Sequence, residues 1–356
     1  MGSQIVGKQS IAFQNAVYIA GSASVVGPKE AAGPLGEWFD VKDKDPLFGK
    51  ETWEQAESEM QSIALQKAAE KAKLELSEVR FLFGGDLLAQ LTATSFGNVE
   101  TKLPLFGLYG ACSTCAESLT LAAMSVAGGF AEHAAAVTSS HFASAEKQFR
   151  FPLEYANQRP VSATWTVTGA GAFIVAAAGN VKSSVAPMAR IAAVTTGKIV
   201  DYGVKDAMNM GAVMAPAAAE LIAQNLTDFD RKPGDYDRIV TGDLGEVGHE
   251  ILLDLLKEKG FDLSGIHEDC GMLIFDNEKQ GTGSGGSGCG CAASTLSAHF
   301  LPRLASGELK RILFVPTGAL MSPVSFNEGQ SIPGIAHGIV LEHPGTEECC
   351  KKEERQ

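Results

Sequence analysis

The sequence predicts a duplicated α/β protein, in which two similar halves pack side by side and each sends a helix through the middle. Two short β-rich runs are built alike: Ser77 to Asp86 ends in Gly-Asp, and Asp235 to Asp243 ends in Gly-Asp as well. Each reads as a buried strand closed by a glycine turn. Later in each half comes a small-residue turn carrying cysteine, Gly110-Ala111-Cys112 or Gly288-Cys289-Gly290-Cys291, and then an Ala/Leu/Ser helix. A third shared feature is a strand after that helix, so both halves follow one strand–helix–strand plan.

The elements follow in order. Trp53 to Leu76 places Ala56, Met60, Ile63, Ala64, Ala68 and Ala72 at helical spacing, which predicts a helix covering one face of the first sheet. Ser113 to Ala127 carries a single charge, Glu117, and is therefore read as a helix buried on most faces. It stops at Gly128-Gly129, and Ala134 to Ser139 forms the next strand. In the second half, Ala207 to Asn225 repeats the covering helix, the helix after Cys289 stops at Gly307, and Arg311 to Pro316 is the matching strand. The halves are placed at residues 1–180 and 181–345, with a charged tail at 346–356 that carries Cys349 and Cys350.

Composition narrows the function classes. The chain has 356 residues, 45% of them hydrophobic and 20% charged, which suits a globular protein with a large core. Its formal charge of −13 repels polyanions, so nucleic acid is not an expected partner. No apolar run reaches the length of a membrane span, and no export or lipid-attachment signal is visible at the N-terminus. The seven cysteines are an odd number with uneven spacing, which argues against a disulfide framework and for a reducing compartment. Their spacing also fits structural zinc poorly, and no metal site is expected.

Cys112 is the leading chemical candidate. A cysteine on a sharp turn that opens a helix sits at the positive end of the helix dipole, which lowers a thiol pKa and favours anions. The competing reading is a small residue packed between close backbones. A nucleophile needs a proton-transfer partner, and His141 and His337 are the best placed. His141 follows a buried strand at the edge where α/β sheets open onto ligands, or else caps that strand. His337 lies in a glycine turn entering a last strand. His133, His267 and His299 read as surface residues, and His249 and His343 as weak candidates. Arg150 and Arg159 form a local basic patch that can clamp carboxylates, or can pair with neighbouring glutamates. Asp86 is read at even odds as a ligand contact or as a turn-capping aspartate, and its repetition at Asp243 marks at least one of the two as structural.

Taken together, Tyr109-Gly-Ala-Cys112, Gly85-Asp86, Ser139-Ser-His141, Thr241-Gly-Asp243, Gly286-Ser-Gly-Cys-Gly-Cys291 and Ile332-Pro-Gly-Ile-Ala-His337 resemble the thiolase-like superfamily. The resemblance spans roughly residues 12 to 344. It implies a thiolase-like fold with layered mixed sheets, buried central helices and a cysteine at the start of the first central helix. Within the superfamily the motifs are most similar to a branch from spore-forming bacteria that moves dipicolinic acid into the developing spore. Two departures from the enzymes stand out. Their histidine after the second-half strand is replaced by Gly242-Asp243-Leu244-Gly245, and the Asn or His of their second glycine loop by Gly288-Cys289-Gly290-Cys291.

The resemblance therefore implies a pseudoenzyme without catalytic residues or cofactor, in which Cys112 is a vestigial nucleophile. The ligand is dipicolinic acid or its calcium complex, and the contacts expected are Asp86, Cys112, His141, Arg150, Ser287, Cys289 and His337. A homodimer, membrane-protein partners of the uptake assembly, and a location in the cytoplasm or at the face of the spore inner membrane complete the expectation. The alternatives are an acyl-transfer enzyme using Cys112, and a scaffold with an empty inherited pocket.

Overall fold

The ten main strands are β1 (Ser10–Val26), β2 (Phe81–Gly85), β3 (Leu105–Gly107), β4 (His133–Ser140), β5 (Gly169–Ala177), β6 (Ala189–Thr195), β7 (Arg238–Thr241), β8 (His267–Asp269), β9 (Arg311–Val315) and β10 (Gly338–Glu342). They hydrogen-bond in the order β8-β7-β9-β10-β6-β1-β5-β4-β2-β3. Read outward from the centre, the first half runs β1-β5-β4-β2-β3 and the second runs β6-β10-β9-β7-β8, the same order with every label advanced by five. The duplication legible in the sequence is thus a duplication of topology, and the chain passes from one set to the other between Ala177 and Ala189. The architecture comes from a computed structural model that describes residues 4–150 and 158–345. The tail at 346–356 and the Phe151-Pro152 end of the basic patch lie outside the described residues.

The halves meet where β1 runs antiparallel to β6, pairing Ser10 with Thr195 and Val17 with Ile191. Alternation along the strands then sorts side chains into layers. On β4, Ala134 and Ala136 face a central core, while Ala135 and Val137 face an outer one. On β9, Ile312 and Phe314 face the same central core, and Leu313 and Val315 face a third. Every residue of β4 is buried, as expected of a sheet covered on both faces.

Helix α1 (Trp53–Lys71) packs on the outer face of the first half, with Ala56, Met60, Ala64, Leu65 and Ala68 buried. Thr52 caps its start by accepting the Gln55 N–H at 3.2 Å. It stops short of the predicted Leu76 because Lys73 adopts a left-handed conformation at φ 55°. The central core holds α2 (Thr114–Ala127) and, from the second half, the helix that begins at Cys289. The second outer face is covered by α4 (Met210–Asp228) and α5 (Gly245–Glu258), once α3 (Phe142–Phe149) has been counted in the first half. Helix α4 begins three residues after the predicted Ala207, because Asn209 caps it by accepting the Ala212 N–H.

The Cys289 helix, α6 (Cys289–Thr295), continues through a π-helical turn at Leu296–Phe300 into a last segment, Leu301–Ala305. It lies so close to β5 that a Cβ on Gly171 would come within 2.6 Å of Ala293. A small residue is required at this contact, which explains Gly171. Gly171→Val is expected to cost roughly 1–3 kcal/mol or more through overpacking, read as a lowered thermal unfolding midpoint. A midpoint equal to that of the unaltered protein would contradict the contact.

Candidate functional site

Residues Tyr109, Gly110 and Ala111 lead into the Cys112 turn, and Ala111 holds a left-handed φ of 50° that a non-glycine residue adopts only under constraint. The constraint is visible around it. Ser113 Oγ donates to the Gly110 carbonyl at 2.7 Å, Thr114 Oγ1 donates to the Ala111 carbonyl at 2.6 Å, and Gly318 of the second half presses so close that a Cβ there would lie 2.2 Å from the Gly110 oxygen. The turn therefore delivers the Cys112 thiol to the seam between the halves.

Opposite it stands Asp243, fully buried at the end of β7. Its carboxylate accepts from Ser287 Oγ at 2.9 Å, from the Gly288 N–H at 3.1 Å and from Thr317 Oγ1 at 2.7 Å, and its charge acts on the nearby Cys112 thiol. Cys112 Sγ lies 3.9 Å from Ser287 Oγ. Burial raises the Asp243 pKa to about 6 against the pull of these donors. Burial first, and then the charge of Asp243, push the Cys112 thiol well above its ordinary value. The dipole argument predicted a lowered thiol, and that expectation is overturned. The Gly288 N–H and the Ser287 hydroxyl still pull the thiol down, but burial and the Asp243 charge outweigh them.

The thiol opens onto a narrow cavity of about 50 Å³ lined by Leu87, Tyr109, Phe149, Arg150, Met210, Met214, Ser287 and Met321 among others. Arg150 ends α3, and its Nη1 meets the buried carboxylate of Glu146 at 2.6 Å, while Arg159 binds the same carboxylate oxygen. The Nε of Arg150 is buried without a hydrogen-bond partner among the described residues.

Of the expected ligand contacts, the structure brings Cys112, Arg150 and Ser287 together on this cavity and places four elsewhere. Asp86 is buried and accepts from the Leu88 N–H at 2.8 Å, the Thr94 N–H at 2.7 Å and Thr94 Oγ1 at 2.6 Å. It is the turn-capping aspartate, with its acceptors used internally. His141 caps α3, accepting the Ala143 N–H at Nδ1, while Nε2 bonds the Pro46 carbonyl at 2.8 Å. It lines a separate groove with Lys29, Trp53 and Trp165. Cys289 is buried beneath the cavity and donates to the Ser139 carbonyl. His337 is buried and accepts the Gly197 N–H, and burial lowers its pKa to about 4. The surface reading of His133 is also corrected: it is buried and bonded to the Asn180 carbonyl.

Asp243 was missed as a site residue, although the repeated Gly-Asp ending pointed to it. One aspartate of the pair is structural, as read, and it is Asp86. Tyr109, Phe149 and the three methionines of the wall carry no sequence signal of their own, since their convergence is a product of the fold.

The family model described as stage V sporulation protein AD (SpoVAD) matches residues 7–342. The chain belongs to this family. Stage V sporulation protein AD of Bacillus subtilis (strain 168) is 40% identical over 343 residues, covering 96% of this chain and 99% of the relative. Solved structures show the same thiolase-like fold at low identity. A variant of OleA from Xanthomonas campestris aligns with TM-score 0.58 at 17% identity, over 93% of this chain and 99% of that one. Human mitochondrial 3-ketoacyl-CoA thiolase aligns with 0.57 at 12% identity, over 94% and 100%. The 3-oxoacyl-[acyl-carrier-protein] synthase III of Aquifex aeolicus VF5 gives 0.53 at 14%, over 92% and 99%. Among the described residues no helix is long and apolar enough to cross a membrane.

The Asp243–Cys112 contact has a direct chemical consequence. Asp243→Asn removes the charge that opposes the thiolate, so the Cys112 pKa falls and its alkylation by iodoacetamide at pH 8 accelerates, read by peptide mass spectrometry. Equal rates in the two proteins would show that Asp243 does not govern the thiol.

Proposed function

We propose that this sporulation protein is a non-catalytic receptor for dipicolinic acid, or for its calcium complex, and that it acts in the uptake of that ligand into the developing spore. The observation that carries the reading is Arg150. A guanidinium that lines a cavity and holds a buried, unpartnered N–H is a ready partner for a carboxylate, and such charge-assisted bonds are the strong ones. At the far end the neutral Cys112 thiol offers a donor to a second polar group of the ligand, while Ser287 Oγ, whose proton is held by Asp243, offers an acceptor. Three methionines in the wall suit a cavity that must widen to admit a planar ring.

The same geometry weighs against acyl transfer. A thiol held protonated by a buried carboxylate is a poor nucleophile, and an aspartate at the position of the enzymes' histidine polarises no thioester carbonyl. Uptake itself falls to membrane-spanning partners, the other SpoVA proteins, beside which this chain works at the inner membrane of the spore or in the cytoplasm. The homodimer forms along the outer edge of β3, where Leu105 and Phe106 are exposed together with Phe96 and Tyr109.

Titration calorimetry with dipicolinate, with and without calcium, tests the reading. Saturable binding is expected, weakened roughly thirtyfold or more in Arg150→Met, the equivalent of about 2 kcal/mol. Asp86→Asn is expected to lower the melting temperature and leave the affinity intact. No heat at millimolar ligand, together with a stable mass gain on Cys112 from acyl-coenzyme A, would replace the receptor with an acyl-transfer enzyme.

A further inference from the structure

At the outer edge of the second half's sheet, the rings of His249 of α5 and His267 of β8 lie edge to edge, with centroids 4.8 Å apart and their Nδ1 atoms only 2.6 Å apart. Counting protons fixes the direction of every bond in the chain of contacts behind them. Asp269 accepts from the backbone N–H groups of Leu244, Gly245 and Met272, so it is an acceptor throughout. Thr241 Oγ1 spends its single proton on Asp269 Oδ2 at 2.6 Å. The 2.9 Å contact between Thr241 Oγ1 and His267 Nε2 must then be donated by His267. With its proton on Nε2, neutral His267 presents a bare lone pair at Nδ1, and His249 donates Nδ1–H into it.

This is the arrangement that metal-binding histidines use. One ring nitrogen is free to ligate, while the other donates to a hydroxyl backed by a carboxylate, which locks both tautomer and ring orientation. For His249 to join, its proton need only move from Nδ1 to Nε2, with no net proton released. Two nitrogens each about 2.0–2.1 Å from a tetrahedral ion lie about 3.3 Å apart, so the pair separates by about 0.7 Å and the two rings, now pointing at each other, turn to converge on the ion.

We propose that His249 and His267 form a two-imidazole site for a divalent transition-metal ion, with Thr241 and Asp269 as its positioning groups. Imidazole donors favour nickel, copper and zinc over calcium and magnesium. Among the described residues no group of three or more His, Cys, Asp and Glu converges to hold a metal, so water completes the coordination and affinity is modest.

The test uses nickel(II) and zinc(II) alone, added to the full chain carrying Cys349→Ser and Cys350→Ser, which removes the adjacent thiols of the tail. Calorimetry is expected to show one ion bound per chain, with affinity at least tenfold weaker in His249→Ala. That substitution lies on the half-exposed face of α5, and its fold is checked by thermal melting. Long-range proton–nitrogen spectra of the histidines, recorded with zinc(II), should move the Nδ1 signals of both rings and leave the proton of His267 on Nε2. Thr241→Val should weaken binding by freeing the tautomer, while both Nδ1 atoms still ligate. Coincident isotherms for the parent protein and His249→Ala, or Nδ1 signals unmoved at saturating zinc, would overturn the assignment.

Discussion

The carboxylate of Asp243 is the interaction on which the site depends. It gathers donors from two separate segments of the second half, Ser287 with Gly288 and then Thr317, and its charge acts across the seam on the thiol of Cys112. A buried carboxylate is costly unless its oxygens are satisfied, and here Ser287, Gly288 and Thr317 donate to them. Burial and then this charge bear on the chemistry: where a histidine would draw the thiol proton away, a buried site with a carboxylate beside the sulfur disfavours the thiolate.

That contact exists only because the halves approach closely. Two central helices share one core between the halves, and their approach to the strands is set by glycines: Gly171 against Ala293, and Gly318 against the Cys112 turn. The symmetric strand order carries each half's Gly-Asp turn to a similar place. The two aspartates nevertheless diverge. Asp86 closes on its own loop through Leu88 and Thr94, whereas Asp243 binds segments 44 and 74 residues further along its half and its charge acts on Cys112 of the other. Duplication supplied two equivalent carboxylates, and their local partners gave one a structural task and the other a place in the site.

Much of this was legible in the sequence. Periodicity and glycine placement reveal strands, helices and the internal repeat, because those signals are local. The placement of Cys112 and Arg150 on one cavity was partly legible, from a turn before an apolar helix and a basic patch after a buried strand, whereas Ser287 came only with the family resemblance. Asp243 was legible only as a repeat, because its meaning comes from Cys112, more than a hundred residues earlier in the chain. His141 and His337 misled for a related reason. Residue type suggested proton transfer, but backbone groups at Pro46, Ala143 and Gly197 engage their ring nitrogens. The reactivity of Cys112 was misjudged because the dipole of its helix is a local feature and the countering acid is not.

The most direct test of the receptor account is a crystal structure of the protein grown with dipicolinate and calcium. The account predicts the ring between Arg150 and Cys112, one carboxylate within hydrogen-bond distance of the guanidinium, the methionine wall displaced, and the Cys112 sulfur unmodified. Ligand seated elsewhere, with the cavity still closed around Arg150, would contradict it.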